Sequence, residues 1–304
     1  MSPIVGFIQS PGVPPVLPGD FVIVASGSDK AATSPDGITW TARTLSSSAT
    51  WFGLEWNGLV FCATAFNSDK AATSPDGITW TARTLSSSAF WLGLEWNSSI
   101  FCIVAAISNK AATSPDGITW TARTLPSSAQ WQNIAWNDDV FCTIAKSSNK
   151  AATSPDGITW TARTLPSSAQ WQNIAWNGTV FCITADQGTK AATSPDGITW
   201  TARTLSTSAG WNGMAWNGAV FCIVGTGSNI AATSPDGITW TTRTLPSVAN
   251  WTKTSWNGSV FCTIANGSNK AATSPDGIIW TARTLPSVAS WSAISSTHFN
   301  FTNF

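Results

Sequence analysis

Apolar and polar residues alternate along this chain in short runs that repeat every forty residues. In the second copy, Trp51 to Trp56 reads as a first strand, and Asn57-Gly58 is a two-residue hairpin signal. Leu59 to Ala65 carries the apolar, aromatic and β-branched residues of a second strand, followed by a polar loop, Phe66 to Asp69. Lys70 to Thr73 is a third strand. The tight turn Ser74-Pro75-Asp76-Gly77 then leads to a fourth, Ile78 to Thr84. No segment has helical spacing.

The string AATSPDGITW begins at Ala31 and recurs at Ala71, Ala111, Ala151, Ala191 and Ala231; the copy at Ala271 has Ile279 in place of Thr. Residues 111–137 and 151–177 are identical, the mark of a recent duplication or of construction. Four short strands per repeat predict an all-β fold, a seven-bladed β-propeller of four-stranded antiparallel blades spanning residues 21–304. The array opens at a second strand, Phe21 to Ala25, and closes on a first strand, Trp291 to Ser296. Pairing the C-terminal first strand with the N-terminal second, third and fourth strands would close the ring and remove two bare sheet edges. Residues 1–20 hold five prolines and read as an extended arm; His298 to Phe304 departs from the repeat and is expected to cover a seam or an end.

The turn Ser34-Pro35-Asp36-Gly37-Ile38-Thr39-Trp40 resembles the Asp-box, or BNR, repeat of sialidase-like propellers, Ser-x-Asp-x-Gly-x-Thr-Trp, with one residue fewer between Asp and Gly. The resemblance implies propeller architecture. Sialidase chemistry does not follow, because the chain has no tyrosine and its arginines, Arg43 and its six equivalents, all share one position. Asp36, Gly37 and Trp40, like Asp76, Gly77 and Trp80, are expected to be structural. The carboxylate accepts turn N–H groups, glycine supplies the left-handed backbone, and the indole packs between blades.

Composition narrows the functional classes. Lys+Arg and Asp+Glu are 15 each, and charged residues are 10% of the chain, so there is no basic field for nucleic acid. No apolar run is long enough to insert in a membrane as a helix, and the N-terminus lacks the pattern of a signal peptide. The six cysteines, one per second strand from Cys62 to Cys262, read as buried small hydrophobes, neither disulfide-bonded nor metal-binding. No cofactor or metal site is expected.

Function is expected where the repeats differ. The residues before the first strand, its opening residues and the loop after the second strand all vary, and all fall at one end of a blade. Beside them stand Trp51, Trp91, Trp131, Trp171, Trp211 and Trp251 with the amides Gln132, Asn133, Gln172 and Asn173, a composition suited to sugar binding. The competing reading for these tryptophans is packing between blades. Glu55 and Glu95 occupy matching places on adjacent innermost strands, where later repeats carry Ala or Ser; a glycosidase pair and a polar channel lining are the two readings.

The favoured expectation is a non-catalytic binding or structural propeller in a bacteriophage virion, as a tail or fibre receptor-binding unit or a decoration protein. It would dock on other virion proteins through the arm and engage cell-surface glycan. The alternatives are a stand-alone lectin-like propeller, a glycoside-active enzyme using Glu55 and Glu95, and an amplified scaffold without an evolved ligand.

Overall fold

A computed structural model describes residues 20–298. The proline-bearing arm, except Asp20, and the end of the closing peptide lie outside the described residues. The described residues form nineteen strands and no helix. They are β1 (Phe21–Ser34), β2 (Thr41–Trp56), β3 (Phe61–Ser74), β4 (Thr81–Trp96), β5 (Phe101–Ser114), β6 (Thr121–Trp136) and β7 (Phe141–Lys146). Next come β8 (Ser148–Ser154), β9 (Thr161–Ala169), β10 (Trp171–Trp176), β11 (Phe181–Ala185), β12 (Gln187–Ser194) and β13 (Thr201–Trp216). The last are β14 (Phe221–Ser234), β15 (Thr241–Trp256), β16 (Phe261–Ala265), β17 (Ser268–Ser274), β18 (Thr281–Ala289) and β19 (Trp291–Ser296). The architecture is an all-β propeller.

Within a repeat the first strand pairs antiparallel with the second (Trp56 opposite Phe61), the second with the third (Phe141 opposite Ser154), and the third with the fourth (Lys70 opposite Thr84). The sequence pattern suggests separate four-stranded units. The structure instead runs the fourth strand of one repeat into the first strand of the next, as in β2, because Ala49 and Thr50 stay paired with Ser28 and Ser26. Hydrogen bonding therefore links the strands in two long runs, β19-β1 through β9 and β10 through β18. β19 pairs with β1, with Phe21 opposite Ser296 and Ile23 opposite Ile294.

Two strand starts differ from the sequence reading, each because a turn side chain holds the backbone. The second strand begins at Phe61 and not at Leu59, since Asn57 Oδ1 accepts the N–H groups of Leu59 (2.9 Å) and Val60 (2.8 Å). Leu59 is left 63% exposed in the turn. Similarly, the fourth strand begins at Thr81 and not at Ile78, because Asp76 Oδ1 accepts from Ile78 (2.8 Å) and Thr79 (2.9 Å).

The Ser-Pro-Asp-Gly turn behaves as a structural unit. Asp36 Oδ1 accepts from Ile38 N–H, Thr39 N–H and the Ser34 hydroxyl, and the Trp40 indole N–H donates to the Gly37 carbonyl at 3.0 Å. Gly37 has φ +72°, and a Cβ there would stand 2.8 Å from Thr273 Cγ2, so both conformation and space demand glycine. In the Asp116 copy, partial burial favours the neutral acid. Hydrogen bonds from Ile118, Thr119 and Ser114 outweigh that and hold its carboxyl below the usual carboxylate range. Asp116→Ala is expected to cost about 1–3 kcal/mol by urea denaturation, since the N–H groups of Ile118 and Thr119 and the Ser114 hydroxyl lose their shared acceptor.

Buried apolar side chains of the described residues gather in seven clusters, and each draws on neighbouring repeats. One sets Trp51, Phe61 and Trp80 against Val22, Val24 and Ala293. All six cysteines are free and buried, and burial pushes their thiols well above the ordinary value. The arginines brace strands: Arg43 Nε donates to Thr33 Oγ1 at 3.1 Å, and the same bond recurs at Arg83, Arg123, Arg163, Arg203, Arg243 and Arg283.

Candidate functional site: the central channel

With turn aspartates and arginines occupied by structural bonds, the chemistry left over lies on the first strands, which enclose a channel. It has three sections. A rim section of about 120 Å³ is lined by Phe52, Leu92, Gln132, Asn133, Gln172, Asn212, Thr252, Lys253, Asn266 and Ser292. A middle section of about 150 Å³ includes Leu54, Glu55, Leu94, Glu95, Ile134, Asn173, Met214 and Lys253. A far section of about 220 Å³ is ringed by Trp56, Trp96, Trp136, Trp176, Trp216 and Trp256, with Glu55, Glu95, Asp138, Ser255, Ser295, Ser296 and His298.

The innermost strands approach closely. Gly213 lies at φ +105°, where a Cβ would stand 2.9 Å from the Lys253 Cα. Two amides at that level bond across to the next strand. Asn173 is 1% exposed and donates to Thr184 Oγ1 (3.0 Å) and the Trp211 carbonyl (3.2 Å), while accepting from Gly213 N–H (2.9 Å). Asn133 Nδ2 donates to the Gln172 carbonyl at 2.7 Å. These two amides, singled out from sequence as ligand contacts, hold neighbouring strands together; Asn173 is wholly internal and is corrected to a structural role. Gln132 and Gln172 are half-buried on the rim.

The tryptophan platform is also corrected. Trp51, Trp91, Trp131, Trp171, Trp211 and Trp251 are at most 1% exposed, so their faces meet protein and not a ligand. Their large apolar area is best placed between repeats, and the indole N–H is satisfied locally, from Trp51 to the Ser47 carbonyl at 3.2 Å and from Trp211 to the Gly188 carbonyl at 3.2 Å. A third tryptophan series lines the channel instead: Trp56 and its equivalents, each tilted against the phenylalanine of the second strand, as in Trp56–Phe61 at 4.5 Å. The sequence reading passed over this series. The signal was its place at the end of the innermost strand, next to Glu55 and Glu95.

The rim keeps the varied loops together. Asp186, after a second strand, donates its N–H to the Gln170 carbonyl (2.7 Å) before a first strand. Lys146 reaches Asp186 Oδ2 at 2.8 Å and Gln172 Oε1 at 3.4 Å, an ion pair joining adjacent repeats. Burial pushes the Lys253 ammonium down to about 8.

Glu55 and Glu95 share the channel. Burial raises Glu55 to about 8 against the pull of its bond from Trp56 N–H (3.2 Å); burial and then the charge of Glu55 raise Glu95 well above the usual range. Burial thus favours the neutral acid at both carboxyls. His298, expected at a surface or seam, sits exposed at the channel mouth beside Gly258, and partial burial lowers its pKa.

The comparisons agree on the fold. A family model for the DUF6242 beta propeller domain matches residues 114–214, less than half of the chain. No curated protein matches. Among solved structures, virginiamycin B lyase from Staphylococcus aureus, a catalytically inactive variant with quinupristin, is 12% identical over 81% of this chain and 88% of that one, with TM-score 0.73. YCF48 bound to D1 peptide is 15% identical over 82% and 86%, with TM-score 0.66. YCF48 from Cyanidioschyzon merolae is 16% identical over 90% and 97%, with TM-score 0.61. At these identities the likeness is one of fold.

Proposed function

We propose that the chain is a non-catalytic binding propeller of seven Asp-box-like blades, closed where β19 pairs with β1, that engages its partner through the rim and channel. One observation carries the reading. Residues of the turn and of the third and fourth strands are nearly invariant from repeat to repeat, while the differences outside the buried second strand gather on the innermost strand and the loops beside it. A scaffold copied for stability has no reason to vary at one end only; a binding surface has.

A second observation speaks against catalysis: the repeated charges are absorbed in structural bonds. A propeller carrying a bound peptide has precedent in YCF48 with the D1 peptide.

The test incubates a glycan panel with the protein and with the triple variant Gln132→Ala, Gln172→Ala and Asn212→Ala, reading both retention and released products. Retention without product, lost in the variant at unchanged melting temperature, is the expected result. Release of a product that disappears with Glu55→Gln would show an enzyme. The setting we propose is a virion, with low charge and uniform repeats in its favour. Its check is stoichiometric recovery of the chain in purified particles.

A further inference from the structure

We propose that the far section of the channel is a site for an organic ammonium ion, seated between the Glu55 and Glu95 carboxyls and the ring of channel indoles. The inference rests on the channel being a binding site but concerns the end opposite the rim. Six indoles, Trp56, Trp96, Trp136, Trp176, Trp216 and Trp256, wall a cavity of about 220 Å³ that also holds both glutamates. Aromatic walls attract weakly hydrated cations through the ring quadrupole, and a carboxyl adds charge complementarity.

A metal ion fits poorly, since no group of three His, Cys, Asp or Glu side chains converges among the described residues. The asymmetry points the same way. The glutamates stand on two adjacent innermost strands, whereas the corresponding residues elsewhere are Ala135, Ala175, Ala215, Ser255 and Ser295, leaving room opposite the acids.

The charged and titratable neighbours set the pH behaviour. Asp138 and His298 share the cavity, Lys253 faces the middle section, and Cys62 and Cys102 lie behind the two glutamates. A bound cation favours the ionised carboxyls, so affinity rises with pH until they ionise unaided.

The test titrates the intact protein with choline by calorimetry and tryptophan fluorescence, beside its uncharged isostere 3,3-dimethylbutan-1-ol. Nα-acetyl-lysine amide serves as an arm for an ammonium delivered by a partner's side chain. Choline is expected to bind at least about tenfold more tightly than the isostere, and more tightly at about pH 8.5 than at about pH 6.5 by a similar factor. Glu55→Gln with Glu95→Gln should abolish both differences. Because Lys253 titrates near this window, Lys253→Met must leave the pH dependence in place. Stronger binding of acetyl-lysine amide than of choline assigns the site to a protein side chain, and the reverse to a free amine.

Equal binding of choline and its isostere, or full affinity in the double glutamine variant, overturns the proposal. So does silence from both ammonium probes at about 50 mM, a concentration that would reveal even millimolar sites. Retention at the rim that survives such a failure leaves the rim reading standing and removes the ammonium site alone.

Discussion

Removing the chain from Trp291 onward is expected to abolish the soluble monomer, the largest effect of any single change considered. β19 supplies five paired positions to β1, from Phe21 opposite Ser296 to Ala25 opposite Trp291. The pairing is extended at both ends, by Ser26 N–H to the Ser290 carbonyl (2.8 Å) and by Thr297 N–H to the Asp20 carbonyl (3.0 Å). Ser292 Oγ ties the strand to the next one through the Trp51 carbonyl at 2.6 Å. Trp291 is 1% exposed and packs with Phe21, Ile23, Leu285 and Ile294. Losing Trp291 and Ile294 forfeits at least about 1.5–3 kcal/mol for each buried side chain, against a total stability of about 5–15 kcal/mol for a typical domain.

The damage also differs in kind from an internal change such as Trp131→Ala. That variant leaves a cavity, about 3–5 kcal/mol, inside a sheet still hydrogen-bonded on both sides. Truncation instead bares the β1 edge and the apolar face behind it, the pattern that templates strand addition between molecules. Light scattering after size exclusion should show aggregates or higher oligomers, and a synthetic peptide spanning Ser290–His298 added during refolding should restore the monomer. A truncated protein that stays monomeric and melts within about two degrees of the full chain, a shift worth about 1 kcal/mol, would refute the clasp.

The fold was legible because its rule is written seven times. A period of forty residues, an Asn-Gly turn and a Ser-Pro-Asp-Gly turn place four strands without reference to any long-range contact. The partnership of Trp291–Ser296 with Phe21–Ala25 followed from aligning the ends with the internal copies, and the structure shows those residues paired. What residue types could not separate was the duty of each tryptophan. A ligand platform and a core wedge both require a broad apolar ring, and only the backbone decides whether the ring at 51 or at 56 faces the axis. Asn173 fails for the same reason: an amide suited to a sugar hydroxyl is equally suited to a buried Thr184 hydroxyl and the Gly213 N–H. Gln132 and Gln172, one residue earlier on each strand, remain on the rim. His298 lies beyond the repeat, so no internal copy could place it.

Stability is expected to fall as pH rises from about 5 to about 8, and the fall should vanish in the Glu55→Gln, Glu95→Gln protein. In the unfolded chain a glutamate ionises near its ordinary value of 4.5; in the fold, burial raises Glu55 to about 8 and Glu95 well above its usual range. Below that lower value both states hold their protons and the carboxyls are neutral to stability. Between the two values the unfolded chain has released protons that the folded chain retains, so unfolding is increasingly favoured, by up to about 1.4 kcal/mol per pH unit for each carboxyl. Because both side chains keep some access to the channel, a loss of about 2–4 kcal/mol across the window is the reasonable scale.

The turn aspartates act in a different window with the opposite sign. Burial is outweighed by turn hydrogen bonds at Asp36, Asp116, Asp156, Asp196, Asp236 and Asp276, so their stabilisation is present above about pH 4 and is lost on acidification. Optimum stability therefore falls near pH 5, between the two effects. His298 and Lys253 are common to both proteins and cancel when the variant is compared with its parent. Urea midpoints measured at about pH 5, 6, 7 and 8 should decline for the parent relative to the double variant, with the gap widening as pH rises. A difference between the two that is the same at about pH 5 and pH 8 would mean that Glu55 and Glu95 ionise as freely in the channel as in water, and that the fold spends nothing to hold them there.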